Sequence, residues 1–274
     1  VTIIEAMEEN IAQLYRDLGA SSPRLDAHDG PDAVWVLSDV PSPYINAVVR
    51  TRGTPRDVVE IVDAAIARGK VKGVPFLWWV VPDTSPPNLP AELVARGCTP
   101  VGDMPGMHAD LRTFTRGSLP DGLTIERVTD ASAETVWCDI VRESFALTPE
   151  VATYFHGLLR ASGSSADARM QHFIGSLNGV PVATTSLLTG HDVAGIYCVA
   201  TLASARRRGI GAAMMRNTMH VAKAAGASSA TLQASPAGEP VYRDLGFVEC
   251  CRVAHYLWKP DTSIGEAQAR RTAT

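Results

Sequence analysis

The sequence predicts a mixed α/β fold, with two tandem domains that each carry helices on a sheet of mixed strand direction. Three observations support this. Strand-like runs rich in Val, Ile and Trp alternate with segments of 3-to-4 apolar rhythm along the 274 residues, the pattern of sheets covered by helices. The order strand, helix, strand, short helix ended by glycine, strand occurs twice, which points to an internal duplication. Between the two occurrences lies Thr113-Phe-Thr-Arg-Gly-Ser-Leu-Pro-Asp-Gly122, a cluster of turn formers. Units of about 100 to 150 residues can each bury a core. The boundaries are residues 1–112, a linker at 113–122, residues 123–260 and a tail at 261–274.

In the first unit Ile3, Ile4, Met7, Ile11, Leu14, Tyr15 and Leu18 keep helical spacing up to Gly19. Ala33–Leu37 and Ile45–Arg50 read as a strand pair around the turn-forming residues 39–43. Thr54 caps and Pro55 starts a helix through Arg68, with Val58, Ile61, Val62, Ala65 and Ile66 on its buried face. Phe76–Val81 is a buried strand, Pro90–Cys98 a short helix ended by Gly97, and Met107–Leu111 the closing strand.

The second unit opens with a strand, Leu123–Val128. Asp130 caps a helix carrying Val136, Trp137, Ile140, Val141 and Phe145. Pro149 starts another, through Leu159, and residues 163–167 form a polar loop. Met170–Leu177 and Val180–Leu188 form a hairpin about Asn178-Gly179, the strongest short turn signal in the chain. Phe247–Leu257 supplies the last strands. The tail from Pro260 is expected to be loose or donated to a partner, which leaves a homodimer open.

Between hairpin and last strands, the apolar strand Val193–Thr201 runs into Arg206-Arg-Arg208-Gly209-Ile-Gly211, a basic turn that opens a helix. The first amides of a helix lack backbone partners and carry the positive end of its dipole, so such a turn suits phosphate. Gly209 and Gly211 allow close approach or positive φ, and the three arginines can pair with phosphate oxygens.

Arg206-x-x-Gly209-x-Gly211 after a strand resembles the acyl-CoA pyrophosphate loop of the GNAT superfamily of N-acetyltransferases, whose usual pattern is Gln/Arg-x-x-Gly-x-Gly/Ala. A second element adds weight. Strand Ala230–Ser235 followed by Glu239-Pro-Val-Tyr242-Arg-Asp-Leu-Gly246-Phe247 is similar to the family's strand, Asn, short helix and Tyr-x-x-x-Gly-Phe. Ser235 stands where Asn is common and Gly238 where Ala is common. The resemblance covers residues 123–259 well and 1–112 faintly. Setting Gly97 over Gly246 puts Leu93 over Tyr242 and Cys98 over Phe247, and nothing before the Pro55 helix matches the loop. It therefore implies a degenerate GNAT-like first domain, structural or pocket-completing, and a catalytic second one.

The resemblance implies acetyl transfer from acetyl-CoA to a small-molecule or peptide amine, by direct attack and without a metal. It assigns CoA binding to Val199, Ala200 and Thr201 on the strand edge, to Arg206, Arg207, Arg208, Gly209, Ile210, Gly211 and Ala212 in the loop, and to Ser235. Tyr242 is the expected proton donor to the departing thiolate. Asp192, Glu143 and Glu239 are candidate bases, and His191 beside Asp192 is more readily a turn residue. The acceptor is expected to face residues of about 137 to 170, with a share for the first half left open.

Composition narrows the alternatives. A net charge of −4 with one local basic cluster argues against general nucleic-acid binding. Five cysteines in no paired pattern argue against a disulfide framework and imply a reduced, cytoplasmic setting, with Cys138, Cys198 and Cys250 read as packing residues. Cys250 and Cys251, adjacent on a strand, should point to opposite faces. No metal-ligand spacing, membrane-spanning apolar run or signal peptide is read. A non-catalytic acyl-CoA sensor is the rival from another class. A dinucleotide enzyme is weaker, because Met214 stands where a third Gly or Ala is expected and no acidic residue near 230 ends the next strand.

Overall fold

Thr2 accepts a hydrogen bond from the Glu5 amide while the Glu5 carboxylate reaches back to the Thr2 amide, and this capping box starts α1 (Ile3–Ala20). A computed structural model of the chain describes residues 1–43, 45–82, 84–162, 168–190 and 193–260. After α1 come β1 (Asp26–Asp29), β2 (Ala33–Leu37), β3 (Ala47–Thr51), α2 (Pro55–Lys72), β4 (Phe76–Val80), α3 (Leu89–Ala95) and β5 (Thr99–Asp110). The second half holds β6 (Leu123–Arg127), α4 (Ala131–Ser144), α5 (Pro149–Ser162), β7 (Met170–Leu177), β8 (Val180–Gly190), β9 (Val193–Thr201), α6 (Ile210–Ala224), β10 (Ser229–Gln233), α7 (Glu239–Asp244) and β11 (Val248–Trp258).

The strands form a single mixed sheet, in the order β1-β2-β3-β4-β11-β5-β10-β9-β8-β7-β6. The last strand of each half has crossed into the other: β11 pairs antiparallel with β4, β5 with β10, and the two lie antiparallel beside each other. Successive residues of one strand enter different cores. Val34 and Val36 pack with α1, α4 and α5, whereas Trp35 and Leu37 pack with α2 and α3. On that same second face α6 and α7 cover the strands of the second half. The core under α1, α4 and α5 therefore runs across both halves.

The duplicated motif shows the same hydrogen bonds twice. The Cys98 amide donates to the Leu93 carbonyl at 3.0 Å, as the Phe247 amide does to Tyr242 at 3.0 Å. Gly97 (φ 83°) and Gly246 (φ 87°) both take the left-handed conformation that ends the short helix.

Three expectations need correction. The closing strand of the first half begins at Thr99 rather than Met107, because its exposed first residues carry no apolar alternation. Phe247–Leu257 is one strand, not several. Cys250 and Cys251 do not alternate across the sheet: a bulge between Glu249 and Cys251 inserts Cys250 as an extra residue, and both pack in one apolar cluster with Met7 and Val253. Residues 163–167, read as a polar loop, and the tail at 261–274 lie outside the described residues. Among the described residues no helix is long and apolar enough to cross a membrane.

Candidate active site

β9 and β10 run parallel from Ser229↔Val193 to Thr231↔Gly195 and then part, although β9 continues to Thr201. A bulge in β9 helps to turn it away. Thr184 pairs with Ala200 and Ser186 with Tyr197, so Cys198 and Val199 together oppose one residue, and Cys198 takes φ 49°, rare for a non-glycine. The gap opens a cavity of about 570 Å³. Ile196, Tyr197, Cys198 and Val199 form one wall, and Leu232, Gln233, Ser235 and Tyr242 another.

From the end of β9 the chain enters the basic turn. The Arg206 Nε donates to the Thr201 carbonyl at 3.0 Å, which folds the turn back on its strand. Arg207 (φ 62°) and Gly209 (φ 74°) are left-handed, and Gly209 is the N-cap of α6 with no side chain to satisfy the first amides. A Cβ added at Gly211 would meet only Thr201 Oγ1, at 3.6 Å. The helix thus presents the free amides of its first turn and three exposed arginines, Arg206, Arg207 and Arg208, to an approachable surface. This end of the site has the chemistry of an anion site.

The corresponding place in the first half is closed to anions. β3 and β4 also pair in parallel over only two positions, Ala47↔Leu77 and Val48↔Trp78. There, however, α2 starts with a full capping box, in which Thr54 and Asp57 exchange bonds, so a carboxylate already sits at its positive end. Arg52, just before it, is paired with the buried carboxylate of Glu8.

Tyr242 stands on α7, 8% exposed, its ring 6.0 Å from that of Phe247. Burial pushes its phenol up to about 12, so it keeps its proton throughout the neutral range. A Cβ at Gly238 would lie 2.7 Å from Tyr242 Cε2 and 2.9 Å from its hydroxyl. Alanine there would collide with the ring, which gives the glycine a physical reason. Ser235 lines the cavity and braces the same turn, its hydroxyl accepting from the Gly238 amide at 3.2 Å and its carbonyl from the Glu239 amide at 3.0 Å.

The cavity brings together Tyr242, Ser235 and Val199, while the arginine turn lies at the end of the same strand. Ala200 is buried in the core beneath α1, α4 and α5. The candidate bases do not join them. Glu239 is paired with Arg243 at 2.7 Å, and Glu143 is exposed on α4 and is not among the cavity-lining residues. His191 and Asp192 lie outside the described residues. Burial raises the Cys198 and Cys138 thiols to about 12, so both stay protonated and pack as apolar groups.

Several lining residues carry no motif and were missed by sequence reasoning. Phe145, Leu147 and Phe155 fall within the expected acceptor region. Leu14 and Tyr15 of α1 and Leu77 and Trp79 of β4 come from the first half. Tyr197 donates to Asn10 Oδ1 at 2.6 Å and Asn10 to the Leu188 carbonyl at 3.1 Å, latching α1 onto the second half. His255 arrives because β11 has crossed over beside β4. It is 7% exposed, its ring meets Trp79 edge-on at 4.7 Å, and its Nε2 has no hydrogen-bond partner. Burial lowers its pKa to about 4, so it is uncharged near neutrality.

Residues 136–247 match the Acetyltransferase (GNAT) family. No curated protein matches the sequence. Among solved structures the fold is similar to a GCN5-related N-acetyltransferase from Kribbella flavida, at 19% identity over 94% of this chain and 96% of that one, with a TM-score of 0.69. A GCN5-related N-acetyltransferase from Sphaerobacter thermophilus gives 16% identity, 84% and 82% coverage and a TM-score of 0.60. A tandem GNAT protein from the clavulanic acid biosynthesis pathway gives 12%, 93% and 95%, and 0.61. At these identities the likeness is one of fold.

Proposed function

We propose, from the premise that residues 136–247 form a domain of the GNAT acetyltransferase family, that the chain transfers an acetyl group from acetyl-CoA to a primary amine. The observation that carries this is the gap between β9 and β10, which has an uncapped, arginine-rich helix start beyond one end and a protonated tyrosine in its wall. Such a gap fits an extended donor whose diphosphate and reactive ends are far apart.

The donor supplies an acyl group already activated as a thioester. Amides of residues 209–212 and the side chains of Arg206, Arg207 and Arg208 hold its diphosphate. The edge of β9 at Val199, Ala200 and Thr201, freed where β10 departs, offers backbone groups to the arm. Ser235 stands at the opposite lip. The amine nitrogen forms the new C–N bond as the C–S bond breaks, Tyr242 gives its proton to the sulfur, the amine's proton leaves to solvent, and Tyr242 takes a proton back from solvent. Residues 1–112 act as a degenerate GNAT-like domain that lends the pocket a wall and has no donor site of its own, with 113–122 as the linker.

Calorimetry with acetyl-CoA, followed by a free-thiol assay over a panel of primary amines, tests this. Binding and amine-dependent thiol release are expected. Binding without release by any amine would indicate an acyl-CoA sensor, and no binding would reject the donor.

A further inference from the structure

The acceptor end of the cavity carries a chemical preference of its own. Its walls are aromatic: Tyr15 and Trp79 from the first half line it together with Phe145, Phe155 and Tyr197 from the second. Among the described lining residues none is Lys or Arg, so no cation there would pair with a carboxylate or phosphate on the acceptor. Asp103 is the lone carboxylate in the lining and is already bound to Arg252 at 2.7 Å. His255, nine-tenths buried, offers an uncharged ring. A second charge on the acceptor would give up water here and find no unpaired ion among the described lining residues.

Resting on the proposed transfer reaction, we propose that the acceptor is a monoamine on an aromatic or alkyl body without a second charge, seated against Trp79, Tyr15 and Phe155. The first half is then the acceptor-recognition part of the site. About 570 Å³ is within the usual range for small-ligand pockets, and the acyl end of the donor and such a body share it. The apolar walls also serve the chemistry. They disfavour the ammonium form, so the amine is held neutral for attack without a strong base nearby. Polyamines, aminoglycosides and free amino acids each bring charges that these walls do not match.

The test compares kcat/KM for phenylethylamine and hexylamine with that for spermidine, an aminoglycoside and lysine. The first two should exceed the others by about ten-fold or more, the factor that corresponds to roughly 1.4 kcal/mol. Trp79→Leu and Phe155→Leu, two variants in case one folds poorly, should raise KM for phenylethylamine several-fold and leave the acetyl-CoA Kd unchanged. Calorimetric binding of phenylethylamine to the CoA complex, which has no acetyl group to transfer, gives a readout that needs no turnover. Preference for a polycation or an amino acid, or an unchanged KM in both folded variants, would overturn the acceptor proposal and leave the transfer reaction standing. Failure of acetyl-CoA to bind would remove the donor, and this proposal with it.

Discussion

Gly238 has no side chain, and that lets Tyr242 stand where it does, since a Cβ would be 2.9 Å from both its ring carbon Cζ and its hydroxyl. Gly238→Ala should displace the tyrosine, cost about 1 to 3 kcal/mol by overpacking, and lower kcat more than it weakens acetyl-CoA binding. Chemical denaturation and steady-state kinetics on the same variant check both. The clash was not legible in the sequence, where Gly238 is only an unusual residue between a strand and a helix. Tyr242 itself was legible, because its spacing to Gly246 and Phe247 is local. His255 was not, because it reaches the cavity through a strand exchange that leaves no trace in neighbouring residues. His172 and His255 make a second residue-scale prediction. Burial lowers them to about 3 and about 4 from an ordinary 6.5. A depressed histidine contributes stability that is complete above the unfolded pKa and lost as pH falls through the folded one. Unfolding free energy should therefore decline below pH 6.5 by up to about 1.4 kcal/mol per pH unit for each histidine. Denaturation curves from pH 7.5 to 4.5 should flatten in the double variant His172→Gln with His255→Gln, and an unchanged slope would contradict the assignment.

Among the elements, α2 and α6 begin alike in topology and differently in chemistry. Both follow a strand whose parallel neighbour parts from it early. α2 closes its first turn with Thr54 and Asp57, whereas α6 begins at Gly209 with no side-chain cap. Thr54→Ala should cost about 1 kcal/mol of stability and leave acetyl-CoA affinity unchanged, as denaturation and calorimetry can show. Arg206→Glu with Arg208→Glu should do the reverse, weakening acetyl-CoA by about ten-fold or more, since a charged hydrogen bond contributes roughly 1.5 to 3 kcal/mol. Unchanged affinity in the folded double mutant would remove the diphosphate assignment. Both helix starts were legible because capping is a matter of three or four adjacent residues. β1 was not, since Asp26-Ala-His-Asp29 is a polar edge strand, nor was the exposed first stretch of β5. Each is held by its pairing rather than by an apolar pattern.

Over the whole molecule, the exchange of β5 and β11 makes the halves depend on each other. β10 has β5 of the first half as its outer neighbour, and β4 has β11 of the second. Residues 113–274 expressed alone would expose the edge of β10 and lose Leu14, Tyr15, Leu77 and Trp79 from the cavity. With that edge bare the fragment should be less stable than the full chain, and bind acetyl-CoA more weakly for that reason, until residues 1–112 are added. Wild-type affinity in the isolated fragment would show the halves to be independent. The sequence spoke for the duplication, through the twice-used glycine-ended helix, but an exchange between two similar strands conserves every local pattern and so stays hidden in them. In the proposed reaction the gap between β9 and β10, the walls built by both halves and the buried phenol meet in one chemical step, which Tyr242→Phe isolates. The variant keeps the ring against Phe247 and removes only the hydroxyl. The expected result is an acetyl-CoA Kd within a factor of two or so of wild type, with kcat and kcat/KM for a good amine acceptor lowered together by roughly 10²-fold or more. A folded Tyr242→Phe protein that turns over at the wild-type rate would contradict it.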